Sequence, residues 1–183
     1  IKDAGFNLLG EDAAQLDALS QKTMAVLDDE QGKKMQDLIL EVREQADSVG
    51  GSIECMILGL PAGVGAPFFD SVESRLAHAL FSIPAVKGLE FGVGFALASM
   101  RGSEANDQLY LENESVRAKT NNNGGVLGGI TNGMPVIFKV GIKPTPSIGR
   151  PQATVDIAKG ENTTLQISGR HDPCIVQRAV PVV

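Results

Sequence analysis

The run Gly124-Gly125-Val126-Leu127-Gly128-Gly129 puts four glycines in six positions, and it does most to limit what this chain can fold into. A helix through it is disfavoured, because each interior glycine costs about 0.5–1 kcal/mol relative to alanine. Such a run supplies backbone that turns sharply and N–H groups that can come close to a phosphate or a flat ring. It lacks the Gly-Lys-Ser/Thr ending of a P-loop and the spacing of a dinucleotide fingerprint, so a tight turn into a strand stays open as the alternative. The chain has 21 glycines, 4% aromatic residues and no Trp, so the core must be aliphatic. Its 183 residues are enough for one domain with a core of its own.

The periodicities predict a mixed α/β (α+β) fold with largely antiparallel sheets. Leu16, Leu19, Thr23, Val26 and Leu27 fall at helical spacing over 12–27. Gly32 reads as a break. Met35, Leu38, Ile39, Val42 and Ala46 form one stripe of a helix over 33–49, stopped by Gly50-Gly51. Residues 52–60 read as a strand covered on both faces, and 59–67 as a loop. Asp70 is placed to cap the next helix, with Glu73 closing a capping box and Val72, Leu76, Ala79, Leu80 and Ile83 as its buried stripe. Residues 90–100 read as a strand carrying Gly92 and Gly94. Residues 101–123 read as loop and 135–142 as a strand with Val136, Phe138 and Val140 on one face. Short strands are expected near 154–158 and 163–168, and a helix after Pro173.

Charge is unevenly spread. Residues 1–70 hold 5 Lys/Arg against 13 Asp/Glu, whereas residues 119–183 hold 7 against 3. An overall charge of −6 argues against general nucleic-acid binding, and the basic final third is a candidate anion site. Nothing looks like a signal peptide, and no apolar run reaches the roughly 18–20 residues of a membrane span. A soluble, cytoplasmic protein without a membrane partner is the expectation. Cys55 and Cys174 are the only cysteines, and a disulfide between them is not expected in that setting. The chain starts at Ile1 and stops inside Ala179-Val180-Pro181-Val182-Val183, which reads as a fragment.

Three segments can carry chemistry. Besides the glycine run, Lys143-Pro144-Thr145-Pro146-Ser147 offers an ammonium and two hydroxyls on a backbone stiffened by prolines, either an anion grip or a surface turn. Gly169-Arg170-His171-Asp172-Pro173 offers a guanidinium that can fork onto phosphate, an imidazole and a carboxylate. Asp172-Pro173 also reads as an N-cap followed by proline at the first helical position. A zinc site from His171, Cys174, Cys55 and His78 is disfavoured, because no second Cys/His pair has ligand spacing. A serine hydrolase is disfavoured by the lack of a Gly-x-Ser-x-Gly elbow. His78 is expected to pack or hydrogen-bond within its helix.

These residues resemble chorismate synthase. The matching stretches are Asp47 to Gly51, Gly59 to Gly63, Ala85 to Gly88, Gly102 to Asp107, Asn123 to Gly129, Lys143 to Ile148, and Gly169 to Cys174 with Arg178 to Pro181, all in the family's order. The resemblance implies a β-α-β sandwich, of which residues 1–183 are a single partial domain, the C-terminal half. It implies reduced FMN as cofactor, 5-enolpyruvylshikimate-3-phosphate as substrate, a cytoplasmic homotetramer and an association with NADP, and leaves open whether the enzyme or an external reductant reduces the flavin. Carried over by position, the flavin contacts are Pro84, Ala85, Gly128, Lys143, Pro144, Thr145, Pro146, Ser147 and Arg170, with Asp172 as the site aspartate. Some relatives have Asn where this chain has Pro84. His171 matches neither of the family's proposed proton-donating histidines. Those, and the arginines for substrate, belong to the N-terminal half, so the chain alone is expected to be inactive. A non-catalytic flavin- or phosphate-binding module, or an oligomerisation domain whose glycine loops are only turns, are the other readings.

Overall fold

A computed structural model of the chain describes residues 18, 19 and 21–183. The chain divides into two compact units: residues 1–51 with 142–182, and residues 52–141 with residue 183.

In the first unit, helix α1 runs Asp29–Glu44. It starts earlier than the apolar stripe predicts because the Asp28 carboxylate caps it, accepting the N–H groups of Glu30 (2.8 Å) and Gln31 (3.1 Å). Gly32 does not break it: it lies buried in the first turn, where a Cβ would fall 2.6 Å from Val26 Cγ2. The helix ends at Gln45, ahead of the expected glycine stop, and Ala46 turns left-handed with φ 54°. Of the helix expected over 12–27, residues 12–17 and 20 lie outside the described residues; Ala18 and Leu19 are helical, and from Gln21 to Leu27 the chain is turn, bend and irregular. The hairpin β8 (Gln152–Asp156) and β9 (Glu161–Leu165) and the short helix α4 (Val176–Ala179) complete this unit.

The second unit is built on a three-stranded sheet of β1 (Gly51–Ile57), β7 (Val136–Ile142) and β2 (Val86–Phe91), with β7 in the middle. Gly92 N–H donates to Ile137 C=O (2.9 Å) and Gly88 lies beside Gly141, so β2 and β7 run antiparallel. The alternation read in β7 is a burial pattern. Val136 and Val140 are 0% exposed, and Phe138 and Ile142 are buried on the same face. With Ile53, Leu80 and Val86 they make the core around this sheet, aliphatic apart from Phe138.

Helix α2 (Val72–Phe81) is capped by Ser71, whose hydroxyl accepts Ser74 N–H at 3.0 Å. The expected cap, Asp70, belongs instead to a short 3-10 turn and pairs with Arg75 (3.3 Å). The strand expected over 90–100 ends at Phe91, because Gly92 (φ 55°) and Gly94 (φ 56°) turn left-handed and a 3-10 helix follows over Gly94–Ser99. The expected loop 101–123 contains a short helix, α3 (Gly102–Ala105), and the hairpin β3 (Leu109–Glu112) and β4 (Ser115–Ala118). Strands β5 (Val126–Leu127) and β6 (Ile130–Thr131) pair around the glycine run. The mixed helix and antiparallel-sheet class read from the sequence holds.

Since Val140 has no solvent contact, Val140→Ala in the full-length protein should lose about 2–3 kcal/mol from lost burial plus a cavity. Val155→Ala on the exposed face of β8 should stay within about 0.5 kcal/mol. Urea denaturation of both variants checks this, and equal losses would contradict the core assignment.

Candidate functional site

In the first unit the strip Ala46–Gly51 holds two of the candidate segments at once. Ser48 Oγ donates to the Thr145 carbonyl (2.7 Å), and Gly149 N–H donates to the Ala46 carbonyl (3.0 Å). One residue further, Val49 N–H donates to the Pro173 carbonyl (2.8 Å). The Lys143–Ser147 turn and the Arg170–Pro173 turn are thereby fastened to the same stretch of backbone. Gly50 allows this approach, since a Cβ there would strike the Ile142 carbonyl and the Pro144 ring. Asp47 secures the strip, accepting Ser48 N–H (2.8 Å) and pairing with Arg150 (2.8 Å). The Ser48 amide, then the Arg150 guanidinium, hold its carboxyl below the usual range.

Lys143 and Arg170 are exposed, and among the described residues neither has an ion pair or a side-chain hydrogen bond. Thr145 Oγ1 and His171 Nε2 are buried without a hydrogen-bond partner. Unsatisfied buried groups of this kind cost about 1–3 kcal/mol each. Both lie in the segments that carry the exposed cations. Asp172 is half-buried and receives two bonds from Arg178, at 3.0 and 3.2 Å. It does not cap α4, whose first turn follows Ile175 with no side-chain cap. A concavity of about 280 Å³ opens between α1 and this turn, lined by Ile39, Leu40 and Arg43 on one side and Arg170 to Pro173 on the other.

In the second unit the glycine run is held by one carboxylate. Asp107 accepts Thr120 Oγ1 (2.7 Å), the N–H groups of Asn122 (2.6 Å) and Asn123 (3.0 Å), and Asn123 Nδ2 (2.8 Å). Burial pushes its pKa up, but the hydrogen bonds from Asn123, Thr120 and Asn122 outweigh it and leave the carboxyl below its ordinary value. Asn121 continues the scaffold, donating to the Pro135 carbonyl (2.9 Å) and accepting Gly125 N–H (2.7 Å). Packing inside the chain accounts for three of the four glycines. A Cβ would strike Gly92 N at Gly124 and the Pro135 carbonyl at Gly125, and would lie 2.7 Å from Ser71 Cβ at Gly129. Gly128 differs, with φ 59° and nothing within 4 Å of an added Cβ. Its bare backbone faces open space.

The expected contacts thus fall into two sets. Lys143, Pro144, Thr145, Pro146, Ser147, Arg170 and Asp172 belong to the first unit, where the Ala46–Gly51 strip gathers them. Pro84, Ala85 and Gly128 belong to the second. Pro84 is exposed, and Ala85 has φ 73°, a left-handed conformation that costs an L-residue about 1–2 kcal/mol. His78 is exposed on α2 and not packed as expected. Burial, then the neighbouring Glu54, pushes the Cys55 thiol up, which marks it as a packing residue more than a nucleophile.

A family model described as chorismate synthase matches residues 5–183. The chain belongs to the chorismate synthase family. A chorismate synthase of Dehalococcoides mccartyi strain BAV1 is 49% identical over 165 residues, covering 90% of this chain and 45% of that protein. One from Thermococcus gammatolerans is 51% identical over 156 residues, covering 85% and 44%. A crystal structure of a chorismate synthase superposes with a TM-score of 0.66 at 33% identity, over 71% of this chain and 40% of that one. The chain spans less than half the length of these relatives. Among the described residues, no helix is long and apolar enough to cross a membrane.

In the sequence Asp47–Gly51 and Gly102–Asp107 stand out only as family markers. Their hydrogen bonds make them the scaffold of the candidate segments. The sequence shows an Asp and Ser beside paired glycines in the first, but Asp107 stands fourteen residues and a hairpin ahead of Asn121–Asn123, so its role there is a fact of folding.

The depressed carboxyl of Asp107 sets a pH dependence. Its folded pKa lies below the unfolded value of about 3.9, so its stabilisation is fully present above that pH and is lost as pH falls through the folded value. Asp107→Asn in the full-length protein should lose about 1–3 kcal/mol near neutrality and show a flatter acid limb. Denaturation curves from pH 3 to 7 check this, and parallel pH profiles for the two proteins would contradict it.

Proposed function

We propose that this chain is the flavin-holding part of a carbon–oxygen lyase of the shikimate pathway. The reaction is the 1,4-anti elimination of phosphate from 5-enolpyruvylshikimate-3-phosphate to give chorismate, within a cytoplasmic homotetramer. The observation that carries this reading, beside family membership, is the fastening of Lys143–Ser147 and Arg170–Asp172 to one backbone strip.

The residues present suit reduced FMN. Two cations without acid partners, an unsatisfied hydroxyl on Thr145 and an unsatisfied nitrogen on His171 are what an anionic, hydrogen-bonding ligand would complete. When bound, the reduced flavin supplies an electron-rich ring that assists departure of phosphate and hydrogen without net redox change. The chain's own residues bind and orient. Lys143 and Arg170 neutralise anionic groups, and Thr145 and Ser147 offer hydroxyls on a backbone that Pro144 and Pro146 hold stiff. Gly128 lets its main chain meet a flat ring, and Pro84 and Ala85 contribute main-chain contacts. We assign the role of site carboxylate to Asp172, which two bonds from Arg178 orient. Proton-donating histidines and substrate arginines come from the other half of the protein, so this stretch alone should bind without turnover.

Arg170→Ala in the full-length enzyme should weaken FMN binding by about 1.5–3 kcal/mol, the scale of a charged hydrogen bond. Quenching of flavin fluorescence on titration measures it. Unchanged affinity would remove Arg170 from the cofactor site.

A further inference from the structure

We infer that Arg43 joins Arg170 in a two-arginine seat for a phosphate monoester, in the concavity between the last turn of α1 and the Arg170–Pro173 turn. The inference deepens the functional reading above and rests on it for what carries the phosphate. Arg43 is outside every motif that ties the chain to its family, and it enters through the structure alone.

Arg43 and Arg170 both line one hollow of about 280 Å³. Among the described residues neither has a carboxylate partner, although ion pairs are made elsewhere in the unit, at Asp47–Arg150 and Lys22–Asp29. The one carboxylate lining the hollow is Asp172, and Arg178 already neutralises it at 3.0 Å. Two positive charges therefore share a hollow with no anion to balance them.

The shape of the donor set points to the class of anion. One carboxylate is satisfied by one forked guanidinium. Two guanidiniums together with the unsatisfied Nε2 of His171 call for more acceptor oxygens, as a phosphate dianion presents. Ile39 and Leu40 form an apolar wall beside them, which suits a phosphate carried on an organic body. The C-terminal end of α1 favours a cation at Arg43 in any case, which explains its tolerance there but not its sharing a hollow with Arg170.

The phosphate can belong to the cofactor or to the substrate, and binding measurements separate the two. Arg43→Gln keeps a good helix former at an exposed position, so thermal stability should hold. In the full-length protein, FMN, riboflavin and inorganic phosphate are titrated against wild type and Arg43→Gln, with flavin fluorescence and phosphorus NMR as readouts. The expected result is a Kd for FMN raised about ten-fold or more, with riboflavin affinity unchanged. A loss seen for inorganic phosphate but not for FMN keeps the seat and assigns it to the substrate's phosphate. Equal weakening of FMN and riboflavin, or no change with any probe, overturns the inference. If wild type binds no flavin at all, the functional reading fails, and the phosphate titration still decides whether Arg43 reads an anion.

Discussion

Two hydrogen bonds from adjacent residues, Ser48 Oγ to the Thr145 carbonyl and Val49 N–H to the Pro173 carbonyl, fix the geometry on which the candidate site depends. The segments they join are separated along the chain by the whole β8–β9 hairpin. Without the strip they would be independent turns, each free to present its cation separately. The strip can do this because Ala46 turns left-handed at the end of α1 and Gly50 has no side chain to collide with Ile142 and Pro144. A helix terminus, a hydroxyl and a missing Cβ thus join two separate turns into one surface.

The second unit uses the same device with a different group. One carboxylate, Asp107, accepts four hydrogen bonds and sets the Asn121–Asn123 turn, from which the glycine run proceeds. The run then folds back on β7, the middle strand of the sheet, through Gly124 and Gly125. In sequence the same strand leads straight from the glycine run into Lys143. Its buried face anchors the loop before it in the core, while the chemistry-bearing residues stay at or near the surface.

What was legible in the sequence was side-chain periodicity. The alternation of Val136, Phe138 and Val140 announced β7, where burial enforces it, and the helical spacing from Met35 to Val42 announced α1, although Leu38 stays exposed and Gly32 is the helix's buried residue. Failures cluster where a local hydrogen bond or a packing contact overrides a residue's usual meaning. Gly32 looked like a stop because its role, fitting against Val26, is a tertiary contact. The apolar run after Phe91 looked like strand because a period-2 reading ignores that Gly92 and Gly94 adopt left-handed φ. The β3–β4 hairpin was hidden because its turn is Asn113-Glu114, both at positive φ, and a glutamate there lacks the usual Asn-Gly signature. The site segments were legible as residue types and as family motifs. That Asp172 is taken by Arg178, that Gly128 alone of its run faces open space, and that Arg43 lines the hollow with Arg170 are facts of folding that spacing cannot carry.

The central claim is that the first unit presents Lys143–Ser147 and Arg170–Asp172, fastened to one backbone strip, to a flavin. Amide hydrogen exchange on the full-length protein, with and without saturating reduced FMN, tests it most directly. Added protection at the Lys143, Thr145 and Ser147 amides and at Arg170 to Asp172 is the expected result. Stoichiometric flavin binding that leaves those amides exchanging as in the free protein would contradict it.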